Sequence, residues 1–291
     1  MHDNLIILAG GASSRMKKQA ASGDLKNLTE DEINQANQRS KGLISVGPEG
    51  RPILDYLLLN AKDAGYRNIF FVIGEQGDLF KELYGSKQKN NEFNDMNISF
   101  AVQRIPEGRE KPLGTADALF QALEQYPELK QQSFSVCNSD NLYSTCALER
   151  LRKEILPNAF ISYDRDALQF SAERISRFAV AKIDSDGYLI DIIEKPPAAT
   201  INKYRDAKGK LRVSMNAFKF DGKMVYQYLR DCPIHPERNE KEIPTVLLNM
   251  LKDHPKTAIG IPMSEHVPDL TAKKDILEVK EYLKQYYSAL E

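Results

Sequence analysis

Five apolar residues, Leu5 to Ala9, stop at the pair Gly10-Gly11 and give way to a polar, basic stretch that reaches Lys17 and Lys18. A run this short fits a strand buried on both faces, because a helix would need ten or more residues. The stretch from Lys17 to Lys41 carries almost no large apolar side chain and reads as an insertion or lid, or equally as a merely tolerated surface excursion. Within it, Thr29 and Glu32 have the spacing of a capping box, which predicts a short surface helix. From Pro52 the pattern becomes regular: Pro52 at the first helical position opens an amphipathic helix that Gly65 closes. A strand over 68–74, a helix over 76–84, a strand over 97–103, a helix over 115–126 and a strand over 133–140 follow. Strands alternating with helices at this spacing predict βαβ units with right-handed crossovers, hence a mainly parallel sheet covered on both faces.

The second half changes character. Asp186-Gly187 lies between two apolar runs in "RFAVAKIDSDGYLIDIIEKP", a hairpin signal. A strand over 211–220, helices over 221–230 and 242–252, a strand over 257–262 and a C-terminal helix over 272–288 complete the chain. There is no internal repeat and no Pro-, Gly- or Ser-rich linker, so residues 1–291 are expected to form one domain with a mixed α/β sheet and an antiparallel flap.

Composition narrows the class. With 42% hydrophobic and 28% charged residues, the chain falls outside the disordered and fibrous classes. Lysine plus arginine number 40 against 41 aspartate plus glutamate, so no global basic field attracts nucleic acid, and any phosphate site must be positive locally. No apolar run is long enough to span a membrane or shaped like a secretory signal. Cys137, Cys146 and Cys232 are odd in number and not in metal spacing, which suits a reducing cytoplasm.

In an open α/β sheet, ligands bind beyond the carboxyl ends of the strands, so polar residues just after strands carry extra weight. The Gly10–Arg15 loop offers free backbone N–H groups, two serine hydroxyls and a fixed cation, the ingredients of a phosphate cradle, though a Gly-Gly after a strand is also an ordinary turn. Neither G-x-G-x-x-G nor G-x-x-x-x-G-K-[ST] occurs, so a nucleotide loop here is of a third type. Asp140 follows a strand and could hold Mg²⁺ together with phosphate oxygens, or serve as an Asx turn. Asp269, after the 257–262 strand, could join it, or either Asp269 or Thr271 could cap the last helix. Gln103 ends a strand with an amide able to donate to and accept from a nucleobase. Gly114 and Thr115 open a helix whose N–H groups favour a carbonyl or a phosphate, or form a plain cap. Glu194 and Lys195 close a hairpin strand, where charge also guards a sheet edge.

In their order and spacing, "LAGGASSRM", a lysine before "GLISVGPEGRPILDY", "PLGTADAL", "NSDNLY", "EKP" and "PDLTAKKDI" resemble the sugar-1-phosphate nucleotidylyltransferases over nearly the whole chain. The resemblance implies a Rossmann-like nucleotide-diphospho-sugar transferase fold, with a nucleotide-binding half over about 1–145 and a sugar-binding half over about 146–291. It implies an enzyme that transfers a nucleoside monophosphate from an NTP to a sugar 1-phosphate and releases pyrophosphate, with Mg²⁺ as cofactor and UTP or dTTP favoured. By the same resemblance Leu8, Ala9, Gly10 and Gly11 hold the nucleoside, Arg15 contacts the triphosphate, and Lys41 neutralises phosphate near the reacting centre. Gln103, Gly114 and Thr115 match base-recognition positions, Asp140 and Asp269 the metal-binding aspartates, and Glu194, Lys195 and Asn216 the sugar-phosphate side.

Three departures stand out: the insertion separates Lys41 from the glycine loop, "VSMNAFKF" lacks a glycine after its asparagine or alanine, and "VPDL" lacks an aromatic before the aspartate. A cytidylyl- or guanylyltransferase using another phosphorylated acceptor, and a non-catalytic nucleotide-sugar-binding regulatory protein, remain alternatives. The segment S-D-N after the fourth strand lacks the D-x-D of a related-fold glycosyltransferase. No hexapeptide repeats follow, so no C-terminal acyltransferase β-helix is expected. Substrates are the expected partners, with neither nucleic acid nor membrane, and a homo-oligomer is left open.

Overall fold

The computed structural model of the protein describes residues 1–18, 27–85, 92–93, 95–176, 178–193 and 200–288. Its centre is a mixed sheet. Strand β1 (Asn4–Leu8) lies between β2 (Asn68–Gly74) and β5 (Ser133–Asn138), and β2 is flanked by β4 (Met96–Gln103). These four run parallel, so Leu8, Gly74, Gln103 and Asn138 all end at one edge. The short β3 (Glu92–Phe93) pairs antiparallel with β4.

On the other flank, β9 (Arg212–Asp221) runs antiparallel between β5 and β6 (Asn158–Asp164), and β10 (Ala258–Met263) pairs parallel with β6. Strands from both halves of the chain thus share one sheet, in the order β10-β6-β9-β5-β1-β2-β4-β3. The expected hairpin is present as β7 (Val180–Ile183) and β8 (Leu189–Ile193), with β7 pairing also to the start of β9. Residues 184–188 join the two strands, a longer connection than a two-residue turn, and Gly187 in it has φ 91°.

Alternation along the strands separates two cores. Leu5 and Ile7 of β1, with Ile69, Phe71 and Ile73 of β2, face helices α2 (Ile53–Asp63), α3 (Asp78–Tyr84), α5 (Thr145–Lys153) and α9 (Asp275–Tyr286). Ile6, Phe70 and Val72 face α4 (Thr115–Gln125), α7 (Gly222–Arg230) and α8 (Ile243–Asp253). Pro52 stands one position before α2, as its N-cap. The pair α5–β6 was not anticipated: in "NAFISYD" the strand is buried at all seven positions, and its Asn, Ser and Asp mask the apolar signal. Among the described residues no helix is long and apolar enough to cross a membrane.

The second part of the polar insertion is a docked helix, α1 (Glu30–Gln38); residues 19–26 lie outside the described residues. Its capping box is complete, with the Glu32 main-chain N–H donating to Thr29 Oγ1 at 3.2 Å and the Thr29 N–H to Glu32 Oε2 at 2.8 Å. Ala36 is buried in the core, and Lys280 of α9 reaches Glu32 Oε1 at 2.5 Å. Thr29→Ala removes one half of this cap and is expected to cost about 1 kcal/mol locally. Amide exchange in α1 should quicken about fivefold while β1 amides are unaffected; unchanged exchange in α1 would show that docking alone holds the helix.

Candidate active site

The glycine loop leaves the sheet edge under tight backbone control. The Ala9 N–H donates to Val72 O at 2.8 Å and the Ser139 N–H to Leu8 O at 3.1 Å, which ties the loop base to both neighbouring strands. Beyond it the chain turns, with Ser13 in the left-handed region at φ 53° and the Lys17 N–H bonded to Ser13 O at 3.0 Å. Met16 is fully buried and anchors the turn, while Arg15 is exposed and lines the cleft. Lys273, only 4% exposed, donates its Nζ to both Met16 O and Lys18 O at 2.7 Å. Burial pushes this ammonium below the ordinary lysine value, and the two carbonyls are its compensation.

Two distant acidic residues meet on adjacent backbone. Asn141 and Asp269 form an antiparallel β-bridge, flanked by the Leu142 N–H to Pro268 O and the Leu270 N–H to Asp140 O, both 2.9 Å. Asp140 Oδ2 receives Lys41 Nζ at 2.7 Å. Lys41 reaches it because Gly42, next in the chain, packs so closely that a Cβ there would lie 2.9 Å from Ser139 O. Asp269 Oδ2 receives Thr271 Oγ1 at 2.9 Å and Arg174 Nη2 at 2.6 Å. Arg174 also spans to Asp275 Oδ1 at 2.8 Å and lies 4.2 Å from the Phe170 ring centroid. Burial first, then the nearby Asp140 charge, pushes the Asp269 carboxyl above its ordinary value, while Arg174 and Lys41 oppose the rise. Asp269 is not a helix cap; the Thr271 and Ala272 N–H groups go to Asp275 Oδ2, at 2.8 and 2.7 Å.

The base-side wall is built from β4 and the start of α4. Gln103 is 3% exposed, and its Nε2 donates to Gly114 O at 3.1 Å and to Asp117 Oδ2 at 2.9 Å. Both amide protons are therefore committed within the protein, and the expectation that Gln103 also donates to a base does not hold for this arrangement. Gly114 has φ 113°, and a Cβ on it would fall 2.3 Å from Lys241 O. That close approach lets the Lys241 N–H reach Leu113 O at 2.6 Å and the Ala116 N–H reach Lys241 O at 3.0 Å. One of the N–H groups opening α4 is thus already satisfied. The Thr115 hydroxyl accepts from the Ile243 N–H at 3.2 Å and supports α8.

These elements enclose two connected lobes. The smaller, about 370 Å³, is lined by Leu8 to Arg15, Gln103, Gly114 and Thr115. The larger, about 1010 Å³, takes in Asn216, at φ 59°, together with Arg174 and Asp269. Arg15, Lys41, Asn138 and Asp140 line both. Glu194 and Lys195 lie outside the described residues. Reading the sequence missed Arg174, Lys273 and Asp117. Lys273 had a faint signal, as it stands four residues after Asp269, while Arg174 sits in a polar stretch that looks like plain surface.

Fold and cleft together define an α/β protein organised around the carboxyl edge of its parallel strands. A profile of the nucleotidyl transferase family matches residues 33–283, and the chain belongs to that family. Over 256 residues it is 25% identical to the bifunctional protein GlmU of Staphylococcus saprophyticus, covering 87% of this chain and 46% of that relative. The chain therefore spans less than half the length of this curated relative.

Lys273→Met keeps the buried stem and deletes the ammonium that gathers the loop carbonyls. Hydrogen bonds from charged groups contribute about 1.5–3 kcal/mol, so the amide-exchange rate constant of the Ser13–Lys18 loop should rise about tenfold or more. An unchanged constant with normal thermal stability would show that the loop holds its shape without this clamp.

Proposed function

We propose that the protein transfers a nucleoside monophosphate from a nucleoside triphosphate to a sugar 1-phosphate, releasing pyrophosphate. The observation that carries this reading is the junction of the two lobes. Arg15, Lys41, Asn138 and Asp140 belong to both, so a nucleotide in one and an anion in the other meet at those side chains. Membership of the nucleotidyl transferase family supports the same class of reaction.

The nucleoside lies along Leu8 to Gly11, with its base toward Gln103, Gly114 and Thr115, and UTP or dTTP is the favoured donor. The sugar phosphate occupies the larger lobe near Asn216, and Glu194 and Lys195 are assigned to its side by resemblance. That lobe is lined by Arg15, Lys18, Lys41, Arg174, Arg238 and Lys274 against Asp140, Glu173, Asp269 and Asp275, a local cationic excess in a chain of net charge −1. Such an excess suits two phosphorylated substrates that repel each other.

Asp140 and Asp269 fit a hard divalent ion. Each keeps an Oδ1 with no hydrogen bond among the described residues, and two carboxylates leave room for phosphate oxygens and waters, as Mg²⁺ prefers. Bound there, Mg²⁺ supplies charge neutralisation and Lewis acidity. The protein's own part is positioning and electrostatics. Arg15 stabilises charge on the departing pyrophosphate, and Lys41, held by Asp140, faces the α-phosphate. The attacking sugar-phosphate oxygen is already ionised at neutral pH, so no side chain has to remove a proton.

Asp140→Asn preserves shape while removing the charge that holds Lys41. Turnover, measured as pyrophosphate release from UTP or dTTP with a panel of hexose 1-phosphates, should fall about a hundredfold or more. Near-normal turnover by this variant removes Asp140 from the chemistry. Wild-type release with CTP or GTP and other acceptors alone would shift the substrate, and no release or pyrophosphorolysis with any pair would leave a binding protein.

A further inference from the structure

We infer that Asp117 acts as a positioning residue that fixes Gln103 with its carbonyl oxygen toward the base, making the site select pyrimidines whose ring N3 carries a proton over cytosine, whose N3 is bare. Glutamine amide orientation is ordinarily ambiguous, because oxygen and nitrogen are nearly alike in shape. Here the surroundings remove the ambiguity. Gly114 O and Asp117 Oδ2 are both acceptors, at 3.1 and 2.9 Å from Nε2, and reversing the amide would set oxygen against oxygen twice.

The remaining amide atom faces the cleft. Gln103 Oε1 lies 3.3 Å from where a Cβ on Gly10 would stand, so it sits beside the first residue of the glycine loop, in the wall of the smaller lobe. No hydrogen-bond donor among the described residues reaches it. Asp117 is itself held: its Oδ2 also accepts Gln121 Nε2 at 2.9 Å, while Gln121 Oε1 accepts the Arg104 N–H at 2.8 Å and Gln121 Nε2 donates to Arg104 O at 3.1 Å. The chain of contacts runs from the backbone beyond β4 through Gln121 and Asp117 to Gln103, and Asp117 is only 8% exposed.

The inference rests on the smaller lobe being the nucleotide site, and it deepens that reading by assigning the class of base. Uracil and thymine carry N3–H and can donate to a fixed acceptor. Cytosine carries a bare N3 acceptor at the same place and meets oxygen with nitrogen lone pair. A buried polar group left facing the wrong partner discriminates strongly, because neither side recovers its lost water.

The test measures dissociation constants by calorimetry, so that it stands apart from turnover. Wild-type protein is expected to bind UTP at least about tenfold more tightly than CTP, and to lose a similar factor for 3-methyluridine triphosphate, whose N3 cannot donate. Asp117→Leu, which removes the acceptor at similar size, should bring the UTP-to-CTP ratio close to one. Asp117→Asn, which can still offer an oxygen to Gln103, should restore most of it. Equal wild-type binding of UTP and its 3-methyl derivative overturns the inference without any variant, as does an unchanged ratio in folded Asp117→Leu. If the nucleotide behaviour is as expected but no pyrophosphate is released with any acceptor, the reaction proposed above fails while the role of Asp117 stands.

Discussion

The cleft depends on one short backbone contact, the bridge between Asn141 and Asp269. It joins the segment after β5 to the segment after β10, strands that lie at the centre and the margin of the same sheet. Sheet order separates their ends by β9 and β6, and the 264–271 segment has to cross that width to meet residues 140–142. Once it does, main-chain hydrogen bonds on either side fix the crossing, and both carboxylates project from backbone that is as well determined as a strand pair. Arg174 adds to this by bonding Asp269 through both its carboxylate and its main-chain oxygen, the latter at 3.0 Å. The placement of charge is therefore a consequence of main-chain pairing.

Two half-buried acidic groups whose charges act on each other need cations, and each has its own. Lys41 serves Asp140, and Arg174 serves Asp269 and Asp275. These partners come from distant parts of the chain: Lys41 from the short turn after α1, and Arg174 from α6 (Ala172–Ile175), a single helical turn between β6 and β7. The arrangement sets repulsion between the carboxylates, which the upward push on Asp269 registers, against their pairing with the two cations.

The parts legible in the sequence were those whose signal is local. The apolar run before Gly10-Gly11, the capping box at Thr29 and Glu32, the Asp186-Gly187 hairpin and the rhythm of strands and helices through residue 138 each follow from a few neighbouring residues. Their ends were less certain; the strand expected to reach Asp140 stops at Asn138. β6 was hidden because complete burial removes the alternation that marks a half-exposed strand. Lys273, Arg174 and Asp117 were hidden for another reason. Each acts across a gap of many residues, and a lysine, an arginine or a helix aspartate in isolation reads as solvated surface. Asp140 and Asp269 were singled out one at a time, but their meeting depends on a crossing that no local pattern encodes.

The same distinction bears on how the site obtains its geometry. Gly42 and Gly114 stand where backbone meets backbone too closely for any side chain: Gly42 against Ser139, Gly114 against Lys241. Neither contributes a functional group. Gly42 lets the Lys41 turn lie against the end of β5, so that a flexible lysine spans only a short gap to Asp140. Gly114 lets residues 240–242 seal the start of α4, which holds Gly114 O in place as an acceptor for Gln103. Long side chains lose about 1.5–2 kcal/mol of rotamer freedom when immobilised, and shortening the distance each must bridge limits how many competing geometries remain. The cleft is thus pre-organised by main-chain proximity first, and the charged and amide groups are fitted to a frame that already exists without them.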